Sequence, residues 1–240
     1  MAKKKVVGED GKTYTVKVKK PFYKRVWFWI LIIIVIAGIG GALGGGGSDD
    51  DKSADKSSDT KTSQSESSKA SSSSKKDDGK ITRAQFDAIK IGDLMSSGQG
   101  GSTLDDLTKQ FGKPSDTTSS EDNGVKTDID TWTNVVGGWG ANVIVTFTDG
   151  NAVAKNLTGF KLSRKQKISL ADFNAFANGL KYTDFTAKWG QPDYYDETLI
   201  GGTTTIIAGY TSGVKGDFGA NFNVTFENGA LTAKTQSSMK

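Results

Sequence analysis

The chain has 240 residues, with 31 Lys or Arg, 27 Asp or Glu, and neither Cys nor His. These absences exclude thiolate nucleophiles, Ser-His-Asp triads, imidazole-ligated zinc and a disulfide framework. The net charge of +4 is unevenly placed, because residues 1–25 hold nine basic residues against two acids, whereas residues 81–240 hold 15 against 17. A nucleic-acid-binding domain needs its positive charge on the folded part, so we expect no nucleic-acid partner.

Residues 1–25 are predicted as a basic cytoplasmic tail and residues 26–47 as a transmembrane helix. The apolar run Val26–Leu43 lies within 23 uncharged residues, and as a helix it spans roughly 27 Å, close to a hydrocarbon core of about 30 Å. Basic residues precede the run, and Asp49, Asp50 and Asp51 follow it. By the positive-inside rule the protein is a single-pass plasma-membrane protein with a cytoplasmic N-terminus and an extracellular C-terminal part.

A cleavable signal peptide is the alternative interpretation of the same run, since residues 40–42 (Gly-Gly-Ala) offer a small-x-small cleavage pattern. The 25-residue tail ahead of the run is long for a signal peptide. It also carries a hairpin pattern, in which Val6-Val7 precedes a Gly-Glu-Asp-Gly turn and an alternating stretch from Tyr14 to Val18. These two features favour a retained anchor.

Residues 48–80 are predicted as a disordered linker. They contain twelve Ser among alternating Lys and Asp and no aromatic residue, so they cannot bury enough apolar surface to fold. A flexible coil of this length has a root-mean-square span on the order of 30 Å. The segment is either a stalk that holds a domain away from the bilayer or a permissive linker of no particular length.

The remaining chain is predicted to contain two copies of one unit, at residues 81–163 and 164–240. Three pairs of segments align in the same order: 81–92 with 168–179, 104–114 with 182–192, and 140–155 with 219–234. In the last pair, nine of sixteen positions are identical. Insertions fall only between the aligned segments, which chance does not explain.

Each unit has the pattern of two helices followed by strands. Thr82 and Ser169 are predicted N-caps, and an aromatic-Gly-x-Pro sequence ends the second helix of each unit at residues 111–114 and 189–192. The period then changes to two, and the Asp-Gly and Asn-Gly pairs at 149–150 and 228–229 predict tight hairpins. The predicted fold class is α+β, with two tandem units of helix, loop, helix and four-stranded antiparallel sheet, the helices covering one face.

This order of elements, together with the two aromatic-Gly-x-Pro sequences, resembles the β-lactamase inhibitor protein (BLIP)-like fold, and the single units resemble the SmpA/OmlA-type assembly lipoproteins. The resemblance covers residues 81–240. It implies a concave sheet surface that grips a partner protein. The chain lacks the Cys pairs that staple each inhibitor unit, and no inhibitory loop can be matched, so the resemblance does not imply β-lactamase inhibition. The basic tail and Ser/Lys/Asp linker resemble those of Gram-positive surface proteins.

Few residues could carry catalysis. Asp105-Asp106 is a carboxylate pair, but acids are typical of a first helical turn, where they favour the macrodipole. Asp193, Asp196 and Glu197 could form a weak cation site or an acidic rim, although a solvated strand edge is the simpler interpretation. The Gly-rich residues 98–101 lack the flanking strand and Lys of a phosphate loop and are expected to be flexible. We therefore predict no enzyme activity, catalytic residue, metal or cofactor.

The aromatic residues are better candidates for a binding site. One face of the predicted sheet is free of helices, and apolar side chains on such a face indicate an interface. Aromatic side chains are enriched among binding hot spots. The candidates are Trp132, Trp139, Tyr194, Tyr195, Tyr210 and Phe218. The alternative is that some of them point under the helices as core, so we expect several, but not all, to be exposed.

Two functions fit these predictions best. The first is a non-catalytic, membrane-anchored extracellular binding module for a protein or cell-wall ligand. The second is a membrane sensor or accessory subunit whose basic tail meets an intracellular partner. An envelope hydrolase that uses carboxylates is a weaker third candidate, because it would need a clustered pair of buried acids.

Overall fold

A computed structural model describes the backbone of residues 2–7 and 13–18, and then residues 79–122, 124–160, 162–164 and 166–240. Strands β1 (Ala2–Val7) and β2 (Thr13–Val18) form an antiparallel hairpin, which confirms the hairpin predicted from the sequence. They belong to a compact unit separate from the one at Asp77–Lys240. In the described ranges no helix is both long and apolar enough to cross a bilayer. The predicted span at 26–47, and the linker up to residue 78, lie outside those ranges.

Within residues 79–240 the chain forms two α-helices and four strands, and then the same order again, with an additional 3₁₀ helix in the first group. The first group comprises α1 (Arg83–Asp87), a 3₁₀ helix (Leu94–Ser96), α2 (Leu104–Phe111), β3 (Asp116–Asp122), β4 (Val125–Trp132), β5 (Asn142–Thr148) and β6 (Asn151–Thr158). The second comprises α3 (Leu170–Asn174), α4 (Tyr182–Trp189), β7 (Tyr194–Ile200), β8 (Thr203–Tyr210), β9 (Gly216–Glu227) and β10 (Ala230–Met239).

Local sequence signals explain where the helices begin. The side chains of Thr82 and Ser169 each accept a hydrogen bond from the third helical residue in a reciprocal capping box, which confirms both predicted N-caps. The hydroxyl of Thr103 caps α2, and Asp105 and Asp106 lie exposed in its first turn. That is where negative charge stabilises a helix.

The eight strands β3–β10 form one continuous antiparallel sheet in which each strand pairs with its neighbours along the chain. The sequence predicted a four-stranded sheet in each half. The halves are instead joined by pairing of β6 with β7, from Ala154 opposite Thr198 to Leu157 opposite Tyr195. Because β6 ends the first group and β7 opens the strands of the second, their free edges are available to each other.

Alternation along the strands separates a helix-covered face from a helix-free face. Under the helices, Val143 and Phe147 of β5 pack with the aromatic rings of all four helices in one core. Tyr210 and Phe222, which lie opposite each other on β8 and β9, stack with ring centroids 4.7 Å apart. The intervening residues of the four central strands define the helix-free face: Asn142, Ile144, Thr146, Thr148, Asn151, Ala154, Asn156, Thr158, Tyr194, Asp196, Thr198, Ile200, Thr203, Thr205, Ile207 and Gly209.

Two strand lysines hold the first helix of each half onto the sheet. The Lys155 ammonium donates to the carbonyls of Asp87 (3.3 Å), the last residue of α1, and of Ile89 (2.8 Å), just after it. The Lys234 ammonium donates to the carbonyls of Phe173 (2.8 Å) and Asn174 (2.9 Å), the last two residues of α3, and of Phe176 (2.8 Å), just after it. Carbonyls at a helix C-terminus have no intrahelical donor, so a cation stabilises them.

Candidate functional site

Trp132 and Tyr210, two of the six predicted site aromatics, are fully buried under the helices. The Trp132 indole donates to the Gly112 carbonyl at 2.9 Å, and the Tyr210 hydroxyl donates to the Gly190 carbonyl at 2.9 Å. The expectation of an exposed position is therefore wrong for both. Trp132 lies opposite the core residue Val143 in the sheet, and this register places it on the helix-covered face.

Tyr194 and Tyr195 point to opposite faces of the sheet, and both are buried. Tyr195 lies under α1, with its ring 5.6 Å from that of Phe86, and its hydroxyl donates to Glu197 at 2.8 Å. Tyr194 is on the helix-free face but is only 7% exposed. Neither side chain is freely accessible, so the expectation of exposure is wrong for these two as well.

Trp139 and Phe218 are fully exposed, at 101% and 107% of their reference areas. Each directly precedes a glycine with positive φ, Gly140 at 79° and Gly219 at 83°, and the sequence alignment of the two halves pairs these positions. The side-chain amides of Asn142 and Asn221 donate to the carbonyls of the two glycines at 3.1 and 2.9 Å. Each half thus presents an exposed aromatic side chain just before a glycine of positive φ, in the turn before β5 for Trp139 and near the start of β9 for Phe218.

The two aromatic residues lie toward the same end of the sheet, because β5 and β9 run in the same direction, Trp139 precedes β5 and Phe218 is the third residue of β9. Three strands separate β5 from β9. At about 4.8 Å per strand, the two positions are roughly 19 Å apart across the sheet. We call Trp139 and Phe218 the aromatic rim.

The acids Asp193, Asp196 and Glu197 do not form a cluster. Asp193 is buried at the start of β7, where it accepts from the Arg164 guanidinium at 3.1 Å. Glu197 is on the helix-covered face and pairs with Lys155 at 3.3 Å. Asp196 is on the other face, so the predicted cation site or acidic rim is not assembled. Among the residues that the structure describes, no three His, Cys, Asp or Glu side chains converge as metal ligands would.

Asp196 is the feature that the sequence prediction did not single out. It is 5% exposed although it lies on the helix-free face, and its Oδ2 accepts one bond, from the Asn156 amide at 3.4 Å. Thr158 in turn donates to the Asn156 Oδ1 at 3.0 Å. The pKa of Asp196 is raised to about 7, chiefly by burial; the Asn156 bond lowers the pKa and the charge of Glu197 raises it. Strand alternation was a signal that could have separated Asp196 from its neighbours.

The matched family agrees with this architecture. The model of DUF3862, described as a domain of unknown function with a solved structure, matches residues 75–239. A crystal structure described as a putative β-lactamase inhibitor protein from Streptococcus mutans is 26% identical, with a TM-score of 0.57, and the match covers 66% of this chain and 96% of that one. A search among curated proteins finds no match. The chain is therefore a member of the DUF3862 family, with a BLIP-like fold built on one eight-stranded antiparallel sheet.

Proposed function

We propose that the protein is a non-catalytic, membrane-anchored binding module that holds a partner protein outside the cell through the aromatic rim. The observation that carries this proposal is the exposure of Trp139 and Phe218 at aligned positions, each before a glycine of positive φ. Among the described residues these are the two large hydrophobic side chains left fully exposed. Leaving two such side chains in water costs hydrophobic free energy in the free protein, and a partner that covers them recovers it.

The spacing of the rim suits a protein partner. Two anchors roughly 19 Å apart fit within one standard interface, which buries about 800 Å² on each partner. Each aromatic side chain offers a large contact area with few rotatable bonds, so little side-chain entropy is lost on binding. A small ligand would cover one anchor but not both.

The tail, the predicted span at 26–47 and the linker at 48–80 complete the proposal. They would hold the folded part outside a Gram-positive plasma membrane on a tether with a reach on the order of 30 Å. We infer further that the two halves are tandem copies of one unit, because the first helix of each half begins with a capping box and aligned positions before Gly140 and Gly219 carry an exposed aromatic side chain. The solved relative is described as a putative β-lactamase inhibitor protein, and we carry over only the general class, a protein that binds another protein.

A non-catalytic role fits the polar groups of the folded part. Asp193 forms an ion pair with Arg164. Glu197 forms an ion pair with Lys155 and accepts a hydrogen bond from the Tyr195 hydroxyl. A carboxylate hydrolase needs two acids within reach of one substrate bond. Asp196 has no second acid beside it on its face of the central strands.

The test is capture of envelope proteins from intact cells by the full-length chain, compared with the Trp139→Ala/Phe218→Ala double variant. We expect a defined set of proteins whose recovery falls at least tenfold with the double variant. Ile200→Ala is the matched control, since it removes a partly exposed apolar side chain at the opposite end of the sheet, and its recovery should equal that of the wild type. Equal recovery by all three proteins would refute the proposal.

A second candidate, a sensor or accessory subunit, is favoured by the β1–β2 hairpin, which gives the basic tail an ordered element of its own. Deleting residues 2–18 separates the two functions. The binding module keeps its envelope partners after the deletion, whereas the sensor loses its response.

A further inference from the structure

Asp196 lies at the centre of the helix-free face. Ile144, Asn156, Asp196 and Ile207 are direct cross-strand neighbours on β5, β6, β7 and β8, and β6 and β7 are the two middle strands of the eight. Any partner that covers the centre of this face covers Asp196.

The bonding capacity of this site is not filled by the protein. Asp196 accepts one long bond from Asn156, and among the described residues no cation pairs with it. The Tyr194 hydroxyl, more than nine-tenths buried two residues away on the same face, makes no hydrogen bond. A buried carboxylate without a cation is costly, which is why burial raises the pKa of Asp196 to about 7. A cation supplied from outside would remove that cost.

The sheet itself cannot supply the cation. Its strand lysines, Lys126, Lys155 and Lys234, all share the register of core residues and point to the helix-covered face. On the helix-free face, the described residues of β3–β10 include no Lys or Arg, whereas Asp196, Asp116 on β3 and Glu227 at the end of β9 are among the acidic residues there. The charge of this face is therefore complementary to a basic partner.

The surroundings of Asp196 select the kind of cation. Ile144 and Ile207 flank the site, and the Tyr194 ring lies beside it. A guanidinium group is planar, weakly hydrated and able to lie against apolar and aromatic surface while donating several bonds to oxygens. A metal ion such as Ca²⁺ would need six to eight oxygen ligands, and the described residues provide no such set.

We propose that Asp196 receives the guanidinium group of an arginine side chain presented by the binding partner, with the Tyr194 hydroxyl as a second acceptor. The inference rests on the proposed function, because it names the chemistry that the partner brings to the helix-free face. The aromatic rim supplies apolar anchors at one end of the sheet, and Asp196 supplies a charge-specific contact at its centre.

The probe is the capped peptide acetyl-Gly-Arg-Gly-amide, added to the full chain in detergent micelles at pH 8. The side-chain amide of Asn156, labelled with ¹⁵N, is the reporter because it donates to Asp196. We expect a saturable NMR shift in the wild type and at least tenfold weaker binding in Asp196→Asn. Glu227→Gln, which removes an exposed acid from the same face, is the matched control and should leave binding unchanged.

Lowering the pH tests the same contact without a substitution. The side chains that face Asp196 from β6 and β8 and along β7 are Asn156, Ile207, Tyr194 and Thr198. Of these only Tyr194 titrates, and burial raises its pKa, so it remains neutral. Protonation of Asp196 at pH 5.5 should therefore weaken peptide binding at least tenfold.

Three results would overturn the inference: no shift in the wild type at pH 8, equal binding by Asp196→Asn, or equal affinity at pH 8 and pH 5.5. Agmatine distinguishes the source of the group. Binding of agmatine without binding of the peptide would assign the site to a small molecule and refute a partner's arginine. These measurements involve neither the partner nor the rim, so their failure is distinct from a failure of envelope capture by Trp139→Ala/Phe218→Ala.

Discussion

Replacing Lys234 by Met tests the role of the strand lysines most directly. Met keeps much of the apolar stem but removes the ammonium, which donates to three carbonyls at 2.8–2.9 Å and lies 5.0 Å from the centre of the Phe173 ring. Hydrogen bonds to charged groups contribute about 1.5–3 kcal/mol each when buried. Lys234 is only half-buried, so water can reach some of the freed carbonyls and the three contributions do not add in full. We expect Lys234→Met to lower the free energy of unfolding by about 2–3 kcal/mol.

The measurement is urea unfolding of the full chain followed by circular dichroism. The matched control is Lys113→Met, since Lys113 is exposed and makes no ion pair or side-chain hydrogen bond among the described residues; its effect should stay within about 0.5 kcal/mol. For a folded part of about 160 residues, the loss in Lys234→Met corresponds to a fall in melting temperature of roughly 5–10 °C. If the two variants unfold at the same urea concentration, the ammonium does not hold α3 on the sheet.

The other predictions concern the aromatic residues and Asp196. Trp132→Ala should lower the free energy of unfolding by about 3–5 kcal/mol, because Trp132 is fully buried. Trp139→Ala should change it by less than about 0.5 kcal/mol in the same urea titration. Similar losses in the two variants would show that the difference in burial between Trp132 and Trp139 does not affect stability. Burial raises the pKa of Asp196 to about 7 in the folded protein, against about 4 in the unfolded chain. The folded state therefore holds the proton more tightly, and the free energy of unfolding of the wild type should fall as the pH rises from about 4 to about 7. Asp196→Asn should then be more stable than the wild type at pH 8 by up to about 4 kcal/mol but not at pH 4, and a difference independent of pH would contradict this.

Local signals in the sequence are enough to locate most elements. The caps at Thr82 and Ser169 depend on hydrogen bonds within four residues, and the Asn228-Gly229 pair dictates its hairpin by the same kind of short-range rule. Such short-range rules carry no information about the pairing of β6 with β7, which joins the two halves. The β6–β7 contact joins residues that are 38 to 44 positions apart, so no local pattern could specify one sheet instead of two.

The exposure of an aromatic residue is likewise decided by register. Trp132 lies in an alternating Thr-Trp-Thr stretch that suits either face, and it is buried because Val143 lies opposite it. Trp139 and Phe218 did carry a usable signal, since both precede the same Gly-Ala-Asn sequence in the two aligned halves. A glycine of positive φ interrupts the regular strand backbone, so a side chain placed just before it is outside the alternation that directs side chains into a core.

The glycines near residues 98–101 show a further limit of prediction from the sequence. Residues 98–101 were expected to be a flexible loop because they lack a phosphate-binding context. In the structure this stretch packs so tightly that a Cβ at Gly92 would lie 2.1 Å from the Gly98 carbonyl oxygen. Gly92, Gly98 and Gly101 are needed for the close approach of two backbone segments, and composition alone cannot distinguish this role from flexibility.

The two faces of the sheet differ in charge because of the way the helices are held. Lys155 and Lys234 occupy equivalent positions of the two halves, and both donate to carbonyls at a helix C-terminus. Such carbonyls lack an intrahelical donor, so a cation on the helix-covered face stabilises them. This use places both lysines on one side of the sheet, and among the described residues Asp196 has no cation on the other side. The proposed contact with a partner's arginine would therefore use a negative charge that the helix anchors leave unbalanced.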